Sequence, residues 1–351
     1  MKKPVILKIG TVRLSSRWIL APMAGISDLP FRMLNRSFGC ECAFVEMINA
    51  RCLGYKSVKT GQMLASGPED RPLGVQLLGC EPDFIRRGMD ILSAHVFDIL
   101  DFNAACPERK VTRRGEGASL LKDPVKLQKL VALVVKLSKV PVTVKIRTGW
   151  DSQSINASEV AQRIQDAGAC AVFVHGRTKQ QGYGGAVDHC AIASVKKSVS
   201  IPVIASGDIF TPRRARAMID DTGCDAVLVA RGALGNPWIF REMEEYFEHG
   251  SLPPRPAVGD ISDVMHEHLR LCVGFHGERT GVVSFRKFFI WYTWGHHSVR
   301  HLRQHATSAR TVEQMQKVIE EFRSTARPDS KSKDGQQIGM RLADALARDA
   351  A

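Results

Sequence analysis

No apolar run in the 351-residue chain approaches the roughly 20 residues a helix needs to cross a bilayer, so no membrane partner is expected. Cys-x-x-Cys pairs are also absent. The nine cysteines, Cys40, Cys42, Cys52, Cys80, Cys106, Cys170, Cys190, Cys224 and Cys272, are odd in number and scattered. That argues against a disulfide framework or zinc site and for reduced thiols in a reducing, cytoplasmic compartment. Cys40-Glu41-Cys42 is closely spaced, but no His or Cys follows at ligand distance, and no metal is expected. No signal peptide is expected either. The apolar stretch of "MKKPVILKIGTVRL" is short and alternating, and it predicts a β-hairpin over residues 5–14 that turns at Gly10-Thr11.

Positive charge is abundant. Forty-nine Lys and Arg against 36 Asp and Glu give a formal charge of +13, which favours anionic partners such as nucleic acid or phosphorylated ligands. Charge alone does not separate these from a merely basic soluble protein.

Eight short apolar runs recur along the chain: "WILA" (18–21), "AFVE" (43–46), "LGVQLL" (73–78), "DILDFN" (98–103), "VTVKI" (142–146), "AVFVH" (171–175), "VIAS" (203–206) and "AVLVA" (226–230). Amphipathic helical stretches lie between most of them, including 124–139, 157–168 and 212–223. Near-continuous apolar strands alternating with helices predict a parallel sheet covered on both faces. Eight such units predict a closed (β/α)8 TIM barrel over residues 1–248, with a doubly wound open sheet as the rival.

The strand ends carry Pro22-Met23, Glu46-Met47, Gln76, Asn103, Lys145, His175, Ser206-Gly207-Asp208 and Arg231-Gly232. In a barrel these converge on the C-terminal face, where active sites form. The last two strands run into glycine turns, "SGDIFTP" and "ARGALGNP", whose backbone N–H groups suit a phosphate. Lys145, His175 and the two turns could together hold flavin mononucleotide (FMN), the lysine stabilising negative charge on the reduced ring. Gln76 and Asn103 offer amides to its carbonyls and N–H. An internally salt-bridged lysine and a core histidine are the plain alternatives. Cys106, just past a strand end, is either buried filler or a working thiol.

"HGSLPPRP" (249–256) lies in a linker over 249–257. Helices are predicted at 258–277, 280–295 and 308–323, forming a small helical domain over 258–325. It holds seven of the eleven histidines, with Arg286, Lys287, Arg300, Arg303 and Arg310 among Phe288, Phe289, Trp291, Tyr292 and Trp294. The aromatics read equally as a bundle core and as part of a basic face for RNA. Residues 326–351 form a polar tail, with a short helix expected in "MRLADALARDAA".

The segments "LAPMAGISDLPFR" (20–32), "VQLLG" (75–79), "DFNAACPERKVTRRGEGASLL" (101–121), "VTVKIRTGW" (142–150), "VHGRTKQQGYGG" (174–185), "IPVIASGDI" (201–209) and "ARGALGNPWIF" (230–240) resemble the tRNA-dihydrouridine synthase family. "RKFFIWY" (286–292) and the chain length are similar to its bacterial B-type branch. The resemblance implies that FMN contacts Pro22, Met23 and Ala24 through backbone, then Gln76, Asn103, Lys145 and His175. Its phosphate would rest on Ser206, Gly207, Asp208, Ala230 and Arg231. Cys106 would be the catalytic cysteine, giving a proton to uracil C5 after hydride reaches C6. Asn103, Arg177, Lys179, Arg286 and Lys287 would lie near substrate or RNA. NADPH is implied as reductant, tRNA as partner and a monomer as the working form. A folded tRNA hides its uridine, so the base must be flipped into the barrel mouth.

Three positions depart from the family pattern. Ala105 stands where Gly precedes the Cys-Pro, Ser206 where Asn opens the Gly-Asp turn, and Ala230 where Gly precedes the arginine. Two other functions stay open on the sequence: a different FMN barrel reductase acting on a small pyrimidine, and a tRNA-binding folding aid.

Overall fold

The computed structural model describes residues 7–54 and 58–328. Residues 5 and 6 of the predicted hairpin, the tail beyond 328 and the helix expected within it lie outside the described residues. β1 (Leu7–Ile9) and β2 (Val12–Leu14) pair antiparallel, Leu7 opposite Leu14. Their buried Leu7, Ile9 and Leu14 join Ile19, Cys42, Phe44, Ile99, Ala171 and Ala226 in one apolar cluster. Several of these open their strands, so the hairpin closes the N-terminal end of the sheet.

Eight strands follow: β3 (Trp18–Leu20), β4 (Cys42–Asn49), β5 (Leu73–Leu78), β6 (Ile99–Ala104), β7 (Val142–Arg147), β8 (Ala171–His175), β9 (Val203–Ser206) and β10 (Ala226–Val229). Each runs parallel to both neighbours. β10 returns to β3, with Val227 opposite Trp18 and Val229 opposite Leu20. The sheet is therefore a closed TIM-type barrel, and the open-sheet alternative falls. Strands β5, β6, β8, β9 and β10 are buried at every position. Inside a barrel wrapped by helices both faces are dry, which is why these strands read as unbroken apolar runs. Phe44 and Phe173 meet edge to face at 5.6 Å in the interior. Gly74 makes room for them, since a Cβ there would lie 2.1 Å from the Phe44 ring.

The outer helices start where local chemistry allows. Asp123 accepts the Lys126 N–H ahead of the helix Pro124–Leu137, and Asp188 accepts that of Ala191 ahead of His189–Ser198. Each side chain satisfies a backbone donor left over at a helix start. The chain divides into two compact units: residues up to 28, 40–209 and 213–230 form the barrel, and residues 29–39, 210–212 and 231 onward the second unit. The helix Ile239–His249 thus groups with the later helices, ahead of the 249–257 linker.

The second unit is helical. It contains Leu29–Ser37, Ile239–His249, Val258–His276, Glu278–Tyr292, Arg300–Ser308 and Val312–Thr325. Its core takes Phe285, Phe288, Phe289, Tyr292, Met315, Ile319 and Phe322, and Phe31 stacks on Phe288 at 5.5 Å. Most aromatics of 285–292 are therefore core. The histidine-rich helix Arg300–Ser308 was not anticipated; it buries only Leu302 and Ala306, too faint an apolar stripe to stand out in sequence. Arg327–Pro328, in the segment read as a polar tail, pairs with His296–His297. No helix among the described residues is long and apolar enough to cross a membrane.

Candidate active site

Barrel register decides which strand ends meet. It sets Gln76 opposite Asp101, Asp101 opposite Thr143, Asn103 opposite Lys145, Arg147 opposite His175 and His175 opposite Ser206. Polar residues at these positions form a continuous network in an otherwise apolar barrel. The Thr143 hydroxyl donates to Asp101 Oδ1 at 2.7 Å, and Gln76 Nε2 donates to Asp101 Oδ2 at 2.7 Å. Asn103 Nδ2 in turn donates to Gln76 Oε1 at 2.8 Å and approaches Met47 Sδ at 3.2 Å. Asp101, Gln76 and Asn103 are all at most 5 % exposed. Buried polar groups are tolerated when each finds a partner, and here each fixes the orientation of the next.

The network ends on the Cys106 loop. Asn103 Oδ1 accepts the N–H groups of Ala105 and Cys106 at 3.0 and 2.9 Å. Arg147 Nε donates to the Ala105 carbonyl at 2.8 Å, and the Ala118 N–H donates to the Cys106 carbonyl at 3.0 Å. All four bonds engage loop backbone, and the thiol itself meets the Glu108 backbone. Gly117 must come close for this: its φ is +59°, and a Cβ would lie 2.8 Å from the Cys106 carbonyl oxygen. Gly117→Ala is expected to cost about 1–3 kcal/mol of stability and to lower turnover by displacing Cys106. Urea unfolding and turnover measured side by side will check it.

Burial pushes the Cys106 thiol above its ordinary value. The Glu108 backbone bond and the charges of Arg147 and Lys110 oppose this without reversing it, while the Glu108 charge adds to it. Asp101 is pushed up to about 6 by burial, against the hydrogen bonds of Gln76 and Thr143 and the charge of Lys145. Lys145 is pushed down to about 8 by burial and by Arg147, with Asp101 pulling the other way. Lys145 and Asp101 thus influence each other as opposite charges without forming an ion pair, and the hydrogen-bond partner of the lysine is Ser206.

Toward β9, Lys145 Nζ donates to Ser206 Oγ at 3.3 Å, and His175 Nδ1 lies 3.2 Å from the same oxygen. The serine that departs from the family pattern is thus placed between a cation and an imidazole. Gly207 (φ +136°) and Asp208 (φ +52°) follow with positive φ in succession, a turn that gathers backbone N–H groups. Among the described residues the non-glycine positive-φ positions are Asp208 and Ser298. Ala105 is not one, so its methyl adds no backbone strain.

Several site residues read from the sequence are engaged within the protein. Arg177, 2 % exposed, donates to the Asp208 carboxylate at 2.6 and 3.1 Å and to the carbonyls of Gly184 and Gly185. It ties the β8 loop to the Gly-Asp turn and covers the Asp208 charge. The Met23 N–H donates to Ser27 Oγ at 2.9 Å, while the Met23 carbonyl accepts from Ile26 and Ser27; Pro22 and Ala24 flank this turn. Ala230 is half-buried beside the barrel cluster. Arg231 opens the second unit and lies 5.4 Å over Phe210. Lys179 lies 4.7 Å over Trp150. In the second unit Arg286 Nε donates to the Ala309 carbonyl at 2.9 Å, and Lys287 sits 5.0 Å over Phe288. Asp101, Thr143 and Arg147 escaped the sequence reading, although all three sit inside quoted motifs. They were passed over because residues facing other protein groups look like any polar strand residue.

The donor set fits FMN. A lysine, an imidazole, a carboxamide and a hydroxyl converge beside a turn rich in N–H groups, and Arg177 neutralises the acid nearest that turn. Such a set suits a planar heterocycle bearing carbonyls and a phosphate.

The family model for dihydrouridine synthase (Dus) matches residues 19–327. The tRNA-dihydrouridine synthase B of Serratia marcescens is 38 % identical over 290 residues, 83 % of this chain and 87 % of that protein. That of Vibrio cholerae is 34 % identical over 316 residues, 90 % and 98 % of the two chains. The old yellow enzyme homologue from Zymomonas mobilis superposes with a TM-score of 0.51 at 13 % identity, covering 74 % of this chain and 98 % of that one, a likeness of fold. With a family model spanning nearly the whole barrel and most of the helical unit, the chain belongs to the dihydrouridine synthase family.

Proposed function

We propose that this protein reduces uridine in tRNA to 5,6-dihydrouridine, with FMN as bound cofactor and NADPH as reductant. The observation that carries the reading is the Cys106 loop: a thiol kept protonated by burial, held by its backbone at the end of the Asp101–Gln76–Asn103 chain. The tRNA-dihydrouridine synthases it is similar to supply the substrate.

The C5=C6 bond of uracil is conjugated to its C4 carbonyl, so hydride addition at C6 leaves negative charge that a proton at C5 must quench. The hydride would be the contribution of FMN when bound. Cys106 supplies the proton: a thiol above its usual value near ~8.5 is in the acid form at pH 7. Asn103 positions the loop that carries it. Lys145 would set a positive charge near a reduced flavin ring, and Gln76 would present its amide to that ring. His175 and Ser206, with the N–H groups of Gly207 and Asp208, would hold the rest of the cofactor. Arg177 keeps that turn in shape.

Purified protein is expected to display flavin absorbance. With NADPH and unmodified tRNA it is expected to add two hydrogens to a uridine, read by mass spectrometry. Flavin without any gain would point to a reductase of a small pyrimidine; tRNA binding without flavin, to a folding aid.

A further inference from the structure

Trp150, three residues past the end of β7, carries two cations. Lys122 Nζ lies 3.6 Å and Lys179 Nζ 4.7 Å from its ring centroid. Such contacts fix an ammonium without neutralising it. Neither lysine forms an ion pair among the described residues. Two positive charges are therefore gathered on one ring, neither of them ion-paired among the described residues, an arrangement that suits an anion.

Between the residues that flank Lys179 in the chain opens a groove of about 470 Å3, lined by Ile155 as well as by Thr148, Ser152, Thr178, Gln180 and Gln181. Its walls are the loops after β7 and β8, zipped together by the Lys179 N–H to the Gly149 carbonyl at 3.0 Å and the Gln180 N–H to that of Trp150 at 2.9 Å. The lining offers hydroxyls and amides, and Asp188 adds an acceptor suited to a sugar hydroxyl. Hydroxyl-binding groups next to paired ammoniums match a sugar joined to phosphate. The groove is also coupled to the reaction centre: Arg147 Nη1 donates to the carbonyls of Thr178 and Gly182 at 2.9 and 2.7 Å, while its Nε holds Ala105, the neighbour of Cys106.

We infer that this groove, with Lys122 and Lys179 on Trp150, seats a ribose-phosphate unit of the substrate RNA next to the uridine that reacts. The inference rests on the tRNA reading above. It gives the indole a task, holding two charges at fixed points for one stretch of backbone.

The test uses the flavin-loaded protein and unmodified tRNA. Lys122→Ala and Lys179→Ala are each expected to weaken tRNA binding about five- to tenfold, with KM rising far more than kcat falls. The double variant is expected to flatten the slope of log K against log salt by roughly 0.7 to 0.9, as one phosphate contact requires. The lysine-to-arginine variants are expected to keep affinity within about twofold, because charge and ring contact both survive. A salt slope and KM unchanged in the double variant would overturn the inference while leaving the tRNA reading intact. Lost flavin, or slowed flavin reduction with a raised KM for NADPH, would assign these lysines to a cofactor phosphate and overturn it too. A wild-type protein that neither binds nor reduces tRNA overturns both readings together.

Discussion

Cys106→Ala protein is expected to keep its flavin and its reduction by NADPH, yet form dihydrouridine about a hundred- to ten-thousandfold more slowly, the range lost with a general acid. The substitution is mild because the loop is held through its backbone and the thiol adds only its contact with the Glu108 backbone. The loop hangs on its own N–H and carbonyl groups, through Asn103, Arg147 and Ala118, and alanine has the same backbone. Reduced enzyme mixed with tRNA in a single turnover isolates the step. Cys106→Ser keeps the shape but offers a far weaker acid, so it is expected to fall close to the alanine variant. Full activity in Cys106→Ala would remove the cysteine from the chemistry.

The second large effect concerns pH. Flavin affinity is expected to be greatest between about pH 6 and about 8, where Asp101 and Lys145 are both charged. Below that window the protonated Asp101 no longer neutralises Lys145 and loses part of its capacity to accept from Gln76 and Thr143. Above it Lys145 loses the charge that meets the reduced ring. Asp101→Asn is expected to abolish the acid limb and move the alkaline limb to lower pH, since Asp101 is what holds the lysine's value up. Turnover at pH 7 is expected to fall about tenfold, the equivalent of roughly 1.4 kcal/mol. Titration of flavin fluorescence in both proteins checks this, and an unshifted alkaline limb would break the pairing. Stability follows the same groups. Because folding raises the Asp101 value, its contribution declines as pH climbs from the ordinary carboxylate range to about 6. Because folding lowers that of Lys145, its contribution improves as pH climbs from about 8 toward the ordinary lysine range.

Much of this architecture was legible before any coordinates. All eight apolar runs are barrel strands, because a strand dry on both faces must be apolar throughout and can turn polar only where it leaves the sheet. The polar ends at Gln76, Asn103, Lys145, His175 and Ser206 stood out for that reason. What each polar group faces was not legible. Arg177 and Asn103 looked like ligand contacts, yet the Arg177 guanidinium meets Asp208 and loop carbonyls, and the Asn103 amide grips the cysteine loop. A carbonyl on a cofactor and a carbonyl on a neighbouring loop ask the same chemistry of a side chain, and only barrel register separates them. Asp101 and Arg147 were missed for the same cause, since their partners lie tens of residues away in sequence. In the helical unit, rings at 285–292 served the core, and Arg286 holds Ala309, so the run "RKFFIWY" is first a packing motif.

One guanidinium links two jobs. Arg147 grasps the cysteine loop with Nε and the carbonyls of Thr178 and Gly182, beside the groove, with Nη1. If the groove seats RNA and Cys106 is the acid, as proposed, occupancy of the one and placement of the other would share a coupling free energy, and thermodynamics makes such coupling reciprocal. The enzyme would then sense its polymer: a free nucleoside that leaves the groove empty meets a less well-aimed thiol, and discrimination against small uracils becomes a property of alignment as well as of affinity.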